Sequence, residues 1–174
     1  MRIRRVRPEK PTVERYVEEL WIPYHRDLSA SVGAHDLAES DGLVATVTEH
    51  TLELIDTPER YLWVAIEDAT DPFADLDSTD GRFVGFLLGG VEASPSQFDW
   101  PDRFILGDLY VDADHRGSGL ARRLVERAAD QAREDGCSEL ALDVDLDNER
   151  ALAFYEKLGF SPARQRMRRS VEGL

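Results

Sequence analysis

The segment Asp108-Leu109-Tyr110-Val111-Asp112-Ala113-Asp114-His115-Arg116-Gly117-Ser118-Gly119-Leu120-Ala121 combines residue types that can hold a phosphate. An apolar strand runs into a short turn with two glycines, and an amphipathic helix follows at once. The first amides of a helix have no partner inside it, and the dipole there favours negative charge. Glycines at 117 and 119 leave those amides uncovered, and Arg116 adds a cation at the rim. The arrangement suits a pyrophosphate. By itself it also suits a tight turn that needs glycine for its dihedrals. A Walker loop is excluded, because no Gly-Lys-Ser/Thr is present. A Rossmann fingerprint fits badly, since Arg122 stands at its third glycine and the motif lies late in the chain.

The elements that must position this turn can be read from periodicity. Ile3 and Val6 sit in an edge strand that Pro8 stops. Val13, Tyr16, Val17, Leu20 and Trp21 recur at helical spacing over 12–29, with a break or kink expected at Pro23. A second helix is expected over 42–55, closed by Thr57-Pro58. Strands follow over 61–66, 83–91 and 104–111, with an acidic, solvated hairpin loop over 67–80. A helix over 118–134, a strand over 140–146, a helix over 148–158 and a last strand over 163–171 complete the chain. Three strands without an intervening helix argue for antiparallel pairing, and strand-helix-strand over 104–146 argues for one parallel pair. No repeat or linker interrupts the 174 residues, so one α/β domain is expected.

Composition narrows the partners. Asp and Glu total 35 against 21 Lys and Arg, a net charge of -14, and such a chain repels nucleic acid and anionic membrane surfaces. Only Lys10 and Lys157 are lysines. The acids either attract a cationic acceptor or form a coat suited to high salt; their even spread favours the coat. No apolar run is long enough for a membrane span, and the basic start Met1–Arg7 lacks the apolar stretch of a signal peptide. Cys137, the one cysteine, reads as a small buried hydrophobe in a reducing cytoplasm. No Cys/His cluster has metal-ligand spacing, so no metal is expected.

Arg116-Gly117-Ser118-Gly119-Leu120-Ala121 resembles the R/Q-x-x-G-x-G/A element of the GNAT superfamily of acyl-CoA-dependent N-acetyltransferases. Asp108-Leu109-Tyr110-Val111-Asp112 looks like that family's fourth strand. Asn148-Glu149-Arg150-Ala151-Leu152-Ala153-Phe154-Tyr155-Glu156-Lys157-Leu158-Gly159-Phe160 resembles its second motif, N-x-x-A-x-x-F/L-Y-x-x-x-G-F. Two motifs in order, with one strand between them, are far more specific than either alone. The clear resemblance covers about residues 104–160; earlier residues match only in the order of elements.

The resemblance implies a GNAT fold, a mixed sheet of six or seven strands with helices on both faces. It implies acetyl-CoA as cosubstrate and an amine, small-molecule or peptide, as acceptor; a homodimer is a possible assembly. The family's fourth and fifth strands splay at a bulge, which would set the backbone of Leu109, Tyr110 and Val111 against the pantetheine arm and the thioester. The amides of Arg116, Gly117, Ser118, Gly119, Leu120 and Ala121 would hold the pyrophosphate. Asn148 would contact the cofactor or cap its helix. Tyr155 would be the general acid toward the departing thiolate, although beside Phe154, Leu158 and Phe160, which read as core, it also suits packing. For the general base Asp108 leads, because Gly107 stands where many relatives carry Glu; Glu92, Asp143 and Asp145 follow, and a water chain is a further option. Tyr24-His25-Arg26-Asp27 and His35 would roof the acceptor site, with Trp21-Ile22-Pro23-Tyr24 as an apolar wall. A non-catalytic acyl-CoA sensor and another phosphate-binding module are the rival readings.

Overall fold

The computed structural model describes residues 1–31, 42–71, 73–165, 167 and 169–172. They form two compact units, Met1–Asp143 and Val144–Leu174. The first unit runs β1 (Arg2–Arg5), α1 (Lys10–Tyr16), a π turn (Val17–Trp21), α2 (Ile22–Ser31), α3 (Leu43–Asp56), β2 (Arg60–Glu67), β3 (Arg82–Glu92), β4 (Arg103–Val111), α4 (Leu120–Glu134) and β5 (Glu139–Leu142). The second carries α5 (Glu149–Lys157).

The sheet has the order β1-β2-β3-β4-β5. Its first three pairings are antiparallel and β4 pairs with β5 in parallel. A parallel neighbour needs a crossover, and α4 supplies it.

Side chains alternate across each strand, which divides β2 between two layers. Leu62, Val64 and Ile66 join Val13, Tyr16, Val17, Leu20 and Ile55 in one buried cluster, so the first helices cover that face. Tyr61 and Trp63 point the other way, stacked at 5.3 Å, with Phe104 beside them. Here α4 covers them: the Arg127 guanidinium lies 5.4 Å from the Trp63 ring centre, and Gln131 Nε2 donates to Tyr61 Oη. Helices therefore lie on both faces, as expected.

Pro23 does not break the first helix. Proline cannot donate an amide to the carbonyl four residues back, and its ring crowds that carbonyl. The widened π turn before α2, closed by the Ile22 amide on the Val17 carbonyl, accommodates this with helical backbone on both sides.

The segment 67–80 is less solvated than its acids suggest. Leu76 and Thr79 are buried. Arg15 donates to the carbonyls of Leu76, Thr79 and Gly81, fastening the segment to α1.

The strand count departs from expectation. The described residues form five strands, not six or seven. β5 ends at Leu142, short of 146. The described residues of 163–171 belong to no strand, although that stretch was expected to be the last one. Its apolar side chains are sparse, and the described Met167 and Val171 are exposed.

Candidate active site

The site is built where β4 parts from β5. Pairing between them runs from Arg103↔Glu139 to Leu106↔Leu142 and ends there, while β4 continues to Val111. At the same point the β3–β4 register shifts between Leu87 and Gly89, so Gly107 and Asp108 together oppose Leu88 in a bulge. A Cβ on Gly107 would stand 3.0 Å from the Leu88 carbonyl oxygen, tight enough to disfavour a side chain there. The acid of this bulge is at 108.

Beyond the bulge the backbone direction follows from the ladder. The Asp112 amide donates to the Val84 carbonyl, and hydrogen-bonded pairs alternate along an antiparallel ladder. Leu109 and Val111 therefore turn their amides and carbonyls to the open edge of β4, and Tyr110 turns its own toward β3. Arg116 Nε accordingly reaches the Val111 carbonyl from that edge, at 3.2 Å.

The chain then makes a 3-10 turn over Ala113–His115, initiated by the Asp112 carboxylate, and enters α4 through Gly117 (φ 76°) and Gly119 (φ 83°). Both angles are left-handed and favour glycine. A Cβ at either position would meet nothing within 4 Å. Space is thus open above the turn, and the dihedral demand and the accessible amides are satisfied by the same two residues. The first intrahelical bond is from Arg123 to the Gly119 carbonyl, so the amides of residues 120–122 have no acceptor inside α4. The Leu120 side chain is buried, and Ser118 Oγ bonds the His115 carbonyl at 2.6 Å.

Arg116 has a different setting from the free rim cation expected. Besides Val111 it pairs with Asp27 of α2 at 2.8 Å, and its guanidinium lies 5.9 Å from the Tyr110 ring centre. One α-helical turn earlier, Tyr24 Oη donates to Asp108 Oδ1 at 3.1 Å. Helix α2 is thus pinned to β4 twice, once at the bulge and once at the glycine turn. Tyr24 also meets Phe86 edge-on at 5.6 Å and lies 5.9 Å from Tyr110, while Trp21 contacts His25 at 4.0 Å. The structure brings the expected roof residues Tyr24 and Asp27 together with Asp108, Tyr110 and Arg116, joins Trp21 of the expected wall to them through His25, and leaves Arg26 exposed. His35 lies outside the described residues. Glu92 and Asp143 are exposed, and Glu92 sits at the far end of the sheet, opposite Arg103.

One contact of this site has no sequence signal. His115 Nε2 and Glu67 Oε2 stand 2.7 Å apart, tying the glycine turn to the end of β2 across 48 residues. Cys137 is buried, and burial followed by the charges of Asp135, Asp102 and Glu59 pushes its thiol pKa up, which suits the packing role read for it.

In the second unit Asn148 caps α5, its side chain accepting from the Ala151 amide at 3.1 Å. Tyr155 is half-buried, with its ring against Phe154 at 5.2 Å and Phe160 at 5.5 Å. No residue of α5 is fully buried, and Leu158 and Phe160 are half-buried where a core setting was expected. Asp145 is exposed. Among the described residues no group of His, Cys, Asp or Glu could hold a metal ion. No helix among the described residues is long and apolar enough to cross a membrane.

The chain is 38% identical to the mycothiol acetyltransferase of Kocuria rhizophila, over 49% of this chain and 34% of that protein. It is 36% identical to the streptothricin acetyltransferase of Streptomyces lavendulae, over 55% of this chain and 47% of that protein. The chain therefore spans a third to a half of the length of these relatives. An aminoglycoside N-acetyltransferase solved in complex with CoA superimposes with a TM-score of 0.67 at 16% identity, covering 98% of this chain and 94% of that one; at this identity the likeness concerns the fold. The model of the acetyltransferase (GNAT) family matches residues 34–160, well over half the chain. With the splayed β4, the glycine turn and this match together, the chain belongs to the GNAT acetyltransferase family.

Proposed function

We propose that the protein is an acetyl-CoA-dependent N-acetyltransferase acting on a primary amine, and that its 174 residues work as one catalytic domain. The observation that carries the reading is the open edge of β4 leading into an uncovered glycine turn and the partnerless amides of α4. The residues present fit acetyl-CoA. Of the amides expected to hold the pyrophosphate, those of Arg116 and Ser118 already donate to the Ala113 and His115 carbonyls, so the amides of Gly117 and of residues 119–121 would take it. The outward-turned amide and carbonyl of Leu109 and the amide of Val111, whose carbonyl is held by Arg116, would pair with the pantetheine arm as a strand would. Tyr110 contributes its ring to the wall of the site rather than its amide.

The acceptor approaches as an ammonium and must lose a proton before attack. Asp108 accepts it, directly or through water, beneath the aromatic roof of Trp21, Tyr24 and His25. The Leu109 amide faces the side where the thioester carbonyl would lie, and donates to the oxygen as charge develops there. The amine nitrogen forms the new amide bond, the carbon–sulfur bond breaks, Tyr155 gives its proton to the thiolate, and the nitrogen's second proton passes through water to restore the phenol. Nothing in this sequence requires a covalent enzyme intermediate. The relatives named for streptothricin and mycothiol support a small-molecule acceptor, and a peptide amine is a further class the same chemistry serves.

The test is thiol release from acetyl-CoA over a panel of polyamines, amino acids, aminoglycosides and peptide amines, in dilute buffer and in molar KCl. Turnover with one class identifies the acceptor. Binding of CoA without turnover of any amine would make the protein an acyl-CoA sensor and overturn the enzyme reading.

A further inference from the structure

Tyr16 and Tyr24 are eight positions apart. In an uninterrupted α-helix that separation turns a side chain by roughly 80° from its partner, at about 100° per residue. Yet both rings meet Phe86 edge-on, at 5.0 Å and 5.6 Å with interplanar angles of 85°. The π turn between them accounts for this. It absorbs one extra residue, so the eight-residue step acts as one of seven, close to two whole turns. Without it Tyr24 would be carried around the helix, away from Phe86 and away from β4.

The insertion delivers the Tyr24 hydroxyl to Asp108. Its hydrogen bond reaches Oδ1, and Oδ2 has no partner among the described residues. Both ends of this contact are half-buried, where a donor to a carboxylate is worth more than in open water. Tyr16, fully buried against the same Phe86, has a hydroxyl with no partner among the described residues.

We propose that Tyr24 is the positioning residue for Asp108: it holds Oδ1 so that Oδ2 faces the acceptor ammonium, and the π turn is the device that brings it there. This rests on the reading of Asp108 as the group that receives the acceptor's proton. Tyr24 acts through Asp108 and exchanges no proton with the substrate.

The experiment is a double-mutant cycle on the full chain with Tyr24→Phe and Asp108→Asn. It reads kcat and KM for the amine and for acetyl-CoA, with a melting curve on each variant. Tyr24→Phe keeps the ring against Phe86, so the variant retains its packing. Expected for Tyr24→Phe is a loss of about 10- to 100-fold in kcat/KM for the amine, the range for one hydrogen bond to a charged group. The KM for acetyl-CoA should be unchanged. In the Asp108→Asn background the same substitution should change kcat/KM less than about 2-fold, because the group it acts through is gone. Equal losses in both backgrounds, or a drop in melting temperature without a kinetic effect, would overturn the proposal and leave Tyr24 a packing residue. Full activity in Asp108→Asn alone would overturn the Asp108 reading first, and the proposal with it.

Discussion

Gly119→Glu separates folding from cofactor binding. Gly119 has φ 83°, and a residue with a Cβ in that region costs about 1–2 kcal/mol relative to glycine. No steric charge is added, since a Cβ there meets nothing within 4 Å. In a domain of this size the backbone cost lowers Tm by roughly 2–8 °C, so the unliganded variant should fold. CoA at about 100 times its Kd would stabilise the parent by about 2.7 kcal/mol, a rise of roughly 5–11 °C. In Gly119→Glu that rise should disappear, because the carboxylate stands where phosphate is read to sit, over the amides of residues 120–122. Gly119→Ala has the same backbone cost without the charge and should keep part of the rise. A thermal-shift titration with CoA on the three proteins reads all of this. A full rise in Gly119→Glu would refute the assignment of the turn. A variant unfolded before any ligand is added would refute the geometry, since it would reveal a clash where the structure has space.

Three more outcomes are expected. Tyr155→Phe should lower turnover by about 10²-fold with little change in acetyl-CoA affinity, and near-normal turnover in an assay limited by chemistry would remove the general-acid role. If the net charge of -14 reflects a coat suited to salt, Tm should rise from dilute buffer to molar KCl as self-repulsion is screened; a maximum at low salt would favour attraction of a cationic acceptor instead. Burial first, then the hydrogen bond to Asp135, pushes the Tyr61 phenol pKa up to about 12, and burial pushes that of Tyr16 well above the ordinary range. The fold thus favours both neutral phenols. Their contribution is complete below about pH 10, the ordinary tyrosine value; that of Tyr61 is lost as pH rises toward 12, and that of Tyr16 is lost in the same direction. Tm should fall across that window, and less steeply in Tyr61→Phe; equal slopes would show that Tyr61 does not carry the loss.

Much of the frame was legible in the chain because it depends on local chemistry. The stripe Leu120, Leu124, Val125, Ala128 fixed α4 as amphipathic, Gly136 stopped it at φ 79°, and Thr57-Pro58 closed α3 for the reason any residue before proline leaves the helical region. Asn148 was readable as a cap because the capped amide lies only three residues away. The glycine turn was readable because positive φ and amide exposure are properties of the few residues that make it.

What joins distant segments was not readable in this way. Pairing of β4 with β5 stops at Leu106, and that depends on where β5 leaves the sheet, which the strand-like pattern of 140–146, with Asp143 and Asp145 in alternation, does not mark. Pro23 announced a disturbance in the first helix; the structure shows it as a π turn, with Tyr16 and Tyr24 on either side of it both packed on Phe86. Arg116 was visible as a cation, and only the tertiary structure gave it Asp27 as a partner 89 positions away. The Tyr24 contact with Asp108 and the His115 contact with Glu67 span 84 and 48 positions. Periodicity and turn chemistry act over a few residues and therefore set the elements. The electrostatics of the site act across the sheet, between side chains that become neighbours only once the helices are laid on it.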